Sequence, residues 1–166
     1  MKKTLIIYGS TSGSCREYAE QIAAKLDAKA QDVATLKASQ LEEADNLLLG
    51  TSSWGAGEMQ DDWYDSVKTL KAADLKGKTI ALFGCGDAES YSDTFCGGMS
   101  ELYNAVKDSG ATFIGQVYAS TYTYDDSESE INGKFIGLAL DVNEDEAKSE
   151  ERIDHWIEDI KPNLKD

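Results

Sequence analysis

Short apolar runs alternate with longer stretches whose apolar residues recur at helical spacing, and this alternation narrows the possible folds more than any other feature. Leu5–Tyr8 is a continuous apolar run, the mark of a strand buried on both faces. Tyr18, Ala19, Ile22, Ala23 and Leu26 follow at helical spacing and predict a helix from Ser14 to Leu26. A weaker strand is expected near Asp32–Leu36, and a buried one at Leu47–Thr51. Trp63, Val67 and Leu70 share a helical face, and Thr79–Gly84 reads as the next strand. Met99, Leu102, Tyr103 and Val106 mark a helix ending before Gly110. The last strand reads as two pieces, Thr112–Tyr118 and Gly137–Leu140. Between them lies a polar insertion, Ala119–Phe135, whose acidic run Asp125–Glu130 is expected to be a solvated loop. Ile153, Trp156, Ile157 and Ile160 predict a final helix stopping near Pro162, with His155 on its surface. One α/β domain over residues 1–166 is expected, a doubly wound five-stranded parallel sheet with helices on both faces.

A chain of 166 residues can bury one core without a metal or disulfide staple. Its net charge of −15 excludes nucleic-acid binding, which needs a basic footprint, and disfavours an anionic membrane surface. A basic protein partner, steered over long range and sensitive to salt, suits that charge. Met1-Lys2-Lys3 has the basic residues of a signal peptide, but Thr4–Tyr8 is too short for its apolar core. Cys15, Cys85 and Cys96 are odd in number and form no Cys-x-x-Cys pair, which points to a reducing cytoplasm and no metal site. With a single histidine, most Ser-His and Cys-His catalytic arrangements lack parts.

Ligands of such folds bind beyond the carboxyl ends of the strands, where three loops carry unusual residues. Gly9-Ser10-Thr11-Ser12-Gly13-Ser14-Cys15 joins a strand to a helix with small hydroxyl residues and glycine, a cradle for an anion. It lacks the lysine of a P-loop and the G-x-G-x-x-G of a dinucleotide site. Ser14-x-x-Glu17 also fits an ordinary capping box. Thr51–Gln60 places Trp54 among Ser52, Ser53, Gly55, Ala56 and Gly57, where its indole could stack on a flat heterocycle. Gly84–Asp93 brings a second aromatic, Tyr91, with Cys85, Gly86, Asp87 and Asp93. Its acids could instead bind a divalent metal, as in a receiver domain, but the first strand ends in Gly9 and Ser10 rather than in acids.

Together these loops resemble those of the flavodoxin family over essentially the whole chain. Ser10–Cys15 is similar to its phosphate loop, approximately T/S-x-T-G-x-T. Ser53–Trp63 follows its T-W-x-x-G-E-x-Q-x-D-W pattern closely, and Gly84–Phe95 matches G-x-G-D-x-x-x-Y-x-D-x-F at every specified position. The split last strand resembles that of long-chain members. The resemblance implies strand order 2-1-3-4-5, the order of flavodoxin itself, and non-covalent FMN in a low-potential one-electron carrier. It implies that Ser10, Thr11, Ser12, Gly13, Ser14 and Cys15 hold the phosphate, with Trp54 and Tyr91 covering the two ring faces. Backbone around Gly57, Cys85 and Asp87 would meet the polar ring edge, and Asp141 would lie near the ribityl chain. The peptide Gly55-Ala56 would turn over on reduction, and nearby acids would oppose further negative charge on the ring.

Ser12 and Cys15 stand where the family usually has threonine; a thiol is a weak donor, and at a helix start its pKa is expected to fall when no anion is bound. The implied partners are basic-surfaced redox proteins, with the chain a cytoplasmic monomer. Alternatives are a flavodoxin-like NAD(P)H-quinone reductase, for which the sequence shows no nicotinamide fingerprint, and a flavin-free interaction module on the same fold.

Overall fold

The continuous apolar runs become parallel strands, and the amphipathic stretches become the helices that cover them. The computed structural model describes residues 3–10, 13–54 and 58–164, with Trp54 described by its backbone. In chain order the elements begin β1 (Thr4–Gly9), α1 (Ser14–Leu26), β2 (Lys29–Asp32), α2 (Ala38–Glu43), β3 (Asn46–Trp54), β4 (Glu58–Met59) and α3 (Asp61–Ala72). They continue with β5 (Thr79–Gly86), α4 (Gly98–Val106), β6 (Thr112–Ile114), β7 (Val117–Tyr118), β8 (Glu130–Ile131), β9 (Lys134–Phe135), β10 (Leu138–Asp141) and α5 (Glu146–Ile160).

The main sheet runs β2-β1-β3-β5, and the position beyond β5 is shared by two strands. Thr112–Ile114 pairs with Thr79–Ala81, and Leu138–Asp141 pairs with Phe83–Gly86, all parallel. This is the expected order with its last strand split. Period-two alternation sends Leu5, Ile7, Leu47, Leu49, Ile80 and Leu82 to one face, against Trp63, Leu70, Met99 and Leu102. Ile6, Tyr8, Leu48, Ala81 and Phe83 go to the other, against Ala19, Ile22, Ile153, Trp156 and Ile160. Each fully buried Leu or Ile contributes about 1.5–3 kcal/mol, so both helical layers are held mainly by packing. Among the described residues, no helix is long and apolar enough to cross a membrane.

Three local expectations need correction. The weak strand lies at Lys29–Asp32, earlier than Asp32–Leu36, because Asp32 ends it: its Oδ1 accepts from Ala34 N–H at 2.9 Å and starts a short 3-10 turn. Thr112–Tyr118 is interrupted at Gly115, whose φ of 83° breaks the extended run; Val117-Tyr118 pairs instead with β9. The insertion is also more ordered than a solvated loop. Its acids Asp125, Asp126 and Glu128 are exposed, but Ser127, Ser129 and Phe135 are buried. Helix α2, short and weakly amphipathic, is an element that periodicity does not reveal.

Arg152 of α5 ties the insertion to the main body. Its Nε and Nη2 donate to the two Glu144 carboxylate oxygens at 2.7 and 2.9 Å. Nη1 donates to Thr121 Oγ1 and Nη2 to the Thr121 carbonyl, both at 3.0 Å. The guanidinium carbon sits 3.7 Å from the centroid of the Tyr122 ring, and the Tyr122 hydroxyl donates to the Ala139 carbonyl at 2.7 Å. Removing a buried partner from such a pair costs several kcal/mol, less here because Glu144 reaches water. Arg152→Ala is expected to lower stability by about 2–3 kcal/mol, read as a shift in the urea midpoint at unchanged slope.

Candidate functional site

Parallel register aligns the ends of the central strands. Gly9 pairs with Thr51, Thr51 with Gly84, Ser52 with Cys85, and Gly86 with Asp141. The loops after β1, β3 and β5 therefore leave the sheet side by side. The chain passes from β1 outward to β2 and returns to β3 on the other side of β1, so the strand order reverses between β1 and β3.

In the first loop, the Gly13 N–H donates to Ser10 Oγ at 3.0 Å. Gly13 has φ 96°, a left-handed conformation that glycine adopts without steric cost, and it occupies the N-cap of α1. Ser14 is thus the first helical residue rather than the cap, and the expected Ser14–Glu17 capping box does not form. The N–H groups of the first turn of α1 have no acceptor within the helix and carry its positive end toward the loop. Gly9 lies tight against the core: a Cβ there would meet Trp63 Cδ1 at 2.6 Å and Gln60 Oε1 at 2.7 Å. Thr11 and Ser12 lie outside the described residues.

The thiol expected to face an anion turns the other way. Cys15 is wholly buried on the α1 face of the sheet, among Ile6, Phe83 and Cys85. Its hydrogen bond to Cys85, followed by burial, holds its pKa well above the ordinary thiol value, overriding the helix N-terminus. The Cys15 thiol is thus held inside the core by Cys85 and by the Gly9 backbone.

Around the second loop, the Ser53 hydroxyl accepts from the Gly98 N–H at 2.8 Å, fixing the start of α4. Ser52 is buried, and its carbonyl accepts from Thr51 Oγ1 at 2.8 Å. That same Thr51 oxygen accepts from Gln60 N–H at 3.0 Å. Gln60 caps α3 through its side-chain oxygen, which accepts from Asp62 N–H at 3.0 Å. The Trp63 indole N–H donates to the Gly50 carbonyl at 2.8 Å from a fully buried position. Gln60 and Trp63, both within the sequence pattern, therefore build the frame. Trp54 ends β3 with its Cα opposite Glu58 of β4; its side chain, with Gly55, Ala56 and Gly57, lies outside the described residues.

In the third loop, Tyr91 is the exposed aromatic, 49% accessible. Its N–H donates to the Asp87 carbonyl at 2.8 Å, which closes a turn beneath it. The Asp87 carboxylate accepts from Glu89 and Ser90 N–H at 3.1 and 2.9 Å and from Asn143 Nδ2 at 2.6 Å. The Asn143 bond, then the Ser90 N–H, hold Asp87 below its usual carboxylate value. Asn143 also donates from Nδ2 and N–H to Asp141 Oδ1 at 3.1 and 3.0 Å, and Asp141 accepts from Ala88 N–H at 3.3 Å. Asn143 thus clamps the start of the Tyr91 loop to the end of β10; sequence spacing carries no signal for it. Gly86 packs against Cys96, whose N would lie 2.8 Å from an added Cβ. Asp93 is exposed and accepts from Ser92 Oγ at 3.3 Å.

The described part of the first loop thus ends in a left-handed Gly13 at the start of α1, and the third loop presents an exposed aromatic on a fixed turn. The family model described as Flavodoxin matches residues 6–156. Flavodoxin 1 of Azotobacter vinelandii is 37% identical over 164 residues, 95% of this chain and 94% of that protein. Flavodoxin 1 of Escherichia coli strain K12 is 34% identical over 168 residues, 99% of this chain and 96% of that protein. The crystal structure of Fusobacterium nucleatum flavodoxin bound to flavin mononucleotide has a TM-score of 0.92 and 32% identity, over 99% of this chain and 100% of that one.

Two outcomes test the geometry. Iodoacetamide should label Cys15, Cys85 and Cys96 no faster than the fold opens, with mass spectrometry showing rapid labelling only in denaturant; rapid native labelling of Cys15 would contradict its burial. Asn143→Ala should raise the Asp87 pKa back toward the ordinary carboxylate value, followed by carboxyl NMR. Because the folded pKa is the lower one, the clamp stabilises the loop at neutral pH and weakens as pH falls through that value.

Proposed function

This chain belongs to the flavodoxin family, and from that premise we infer that it carries single electrons between redox proteins on non-covalently bound FMN. The observation that carries the reading is the meeting of three loops at the β1/β3 reversal, one anion-ready and one presenting Tyr91. The donor set fits a flavin phosphate. Gly9–Cys15 holds no lysine or arginine, so the dianion would be met by Ser10 and Ser14 hydroxyls and by N–H groups at the start of α1. Thr11 and Ser12 join this set through the family pattern. Tyr91 is free to lie along one face of the ring, and Trp54 is assigned to the other by the same pattern.

FMN supplies the one-electron chemistry. The chain's part is to hold the ring, limit water and set the surrounding charge. Backbone of Gly57, Cys85, Gly86 and Asp87 would face its polar edge, and Gly55-Ala56 would supply a peptide able to turn over. Ser52 and Ser53 would shape the floor below the ring, and Asp141 would border the ribityl chain. Asp93, with Glu58 and Glu89, adds exposed negative charge that opposes full reduction.

The reading takes residues 1–166 as one domain, with 119–135 inserted. A net charge of −15 supports basic-surfaced partners and no role on nucleic acid or membranes. Three free cysteines support a reducing, cytoplasmic setting, and a monomer suits transient exchange.

Titration of the apoprotein with FMN should quench flavin fluorescence at one equivalent, and riboflavin, without the phosphate, should bind more weakly. Tyr91→Ala should weaken FMN by about tenfold. A colourless protein that leaves FMN fluorescence unchanged would sink the reading. Electron transfer to a basic redox protein should slow as ionic strength rises.

A further inference from the structure

The insertion grips the loop that presents Tyr91. The Ser92 carbonyl accepts from both Asp125 and Asp126 N–H at 2.9 Å, and Ser92 Oγ donates to the Asp125 carboxylate at 2.7 Å. The Phe95 N–H donates to the Asp126 carbonyl at 3.2 Å. Two buried serines complete the grip. Ser127 Oγ donates to the Phe95 carbonyl, and Ser129 Oγ donates to the Cys96 carbonyl at 2.7 Å. They are coupled, because Ser129 N–H donates to Ser127 Oγ at 3.1 Å. Both side chains sit inside while Asp126 and Glu128 face water.

Packing reinforces these bonds. Phe95 lies in a cluster with three rings of the insertion: Tyr124 stacked at 5.5 Å, Phe135 edge-on at 5.9 Å and Tyr122 tilted at 6.2 Å between centroids. Cys96 needs the support, because its φ of 51° places a non-glycine residue in the left-handed region. Its carbonyl is the one Ser129 holds, and its N abuts Gly86 at the end of β5. From Tyr91, the chain reaches this anchored stretch directly, with Thr94 N–H donating back to the Tyr91 carbonyl at 3.2 Å.

We propose that the insertion is a brace for the flavin site, with Ser127 and Ser129 as positioning residues that fix the Tyr91 loop through the Phe95 and Cys96 carbonyls. The brace rests at its other end on Arg152, through Thr121 and Tyr122. In this role the insertion sets how firmly the Tyr91 side of the ring is covered. Its part at the site rests on the FMN reading; the grip on the loop does not.

The test compares the Ser127→Ala/Ser129→Ala double variant with Leu41→Ala. Leu41 is buried in α2, whose C-cap Ala44 accepts from Lys78 just before β5, at the opposite end of the strands from the loops. In the apoprotein, amide hydrogen exchange at Tyr91 and Thr94 should quicken in the double variant and stay at wild-type protection in Leu41→Ala. In the FMN-loaded protein, the double variant should release FMN roughly tenfold faster and change the visible circular dichroism of the flavin, and Leu41→Ala should do neither. Unchanged exchange in the double variant would overturn the brace. So would unchanged release and dichroism, or equal changes in Leu41→Ala. A wild-type chain that takes up no FMN overturns the functional reading instead, and the exchange comparison still decides whether the serines hold the loop.

Discussion

The parallel register of β1, β3 and β5 is the constraint on which the site depends. A slip of one residue would turn every side chain of a strand to the opposite helical layer, and each layer is built around its own apolar cluster. Register is therefore set by burial, and burial sets where the strands end. Gly9, Thr51 and Gly84 fall in one row, so the three loops begin from a common line. Glycine is needed on either side of Thr51 in that row because the core rises directly beneath those two positions. An added Cβ would meet Trp63 Cδ1 at Gly9 and Met99 Cγ at Gly84, each at 2.6 Å.

This closeness divides the loop motifs between ligand and frame. Tyr91 turns outward, but Gln60, Trp63, Asp87 and Phe95 turn to the protein itself. Gln60 starts α3, Trp63 pins the Gly50 carbonyl, Asp87 closes a turn, and Phe95 packs under the insertion. Ser53, adjacent to Trp54, holds the first N–H of α4. A motif that signals a bound ring is thus in good part a motif for holding its loops still. Rigid loops lower the ordering cost of binding, which is where preorganisation acts.

The insertion extends this framing to the third loop. Its serines face inward while Asp125, Asp126 and Glu128 face outward, so one short segment supplies hydrogen bonds to the Phe95 and Cys96 carbonyls and keeps negative charge at the surface. Arg152 closes the far end with both Glu144 oxygens and the Tyr122 ring. Acidic character along 125–130 does not reveal the buried serines, because serine carries no apolar signal and its partners, the Phe95 and Cys96 carbonyls, lie on a distant segment. Asn143 is hidden for the same reason: its partners Asp87 and Asp141 meet only across two strand ends.

The sequence by itself determined the doubly wound sheet, its split last strand and the three loops of the site. Those follow from apolar periodicity and from residues whose backbone preferences are local, such as Gly13 and the serines around it. Tertiary structure alone decided where the cysteine of the opening loop would point. At a helix start Cys15 reads as an accessible donor, yet packing against Ile6, Phe83 and Cys85 turns its thiol into the core and raises its pKa. The same holds for β2, which Asp32 ends early, and for Ser14, which yields the cap to a left-handed Gly13. Helix and strand periods are written in neighbouring residues, whereas the direction of a single side chain depends on which distant surfaces need filling.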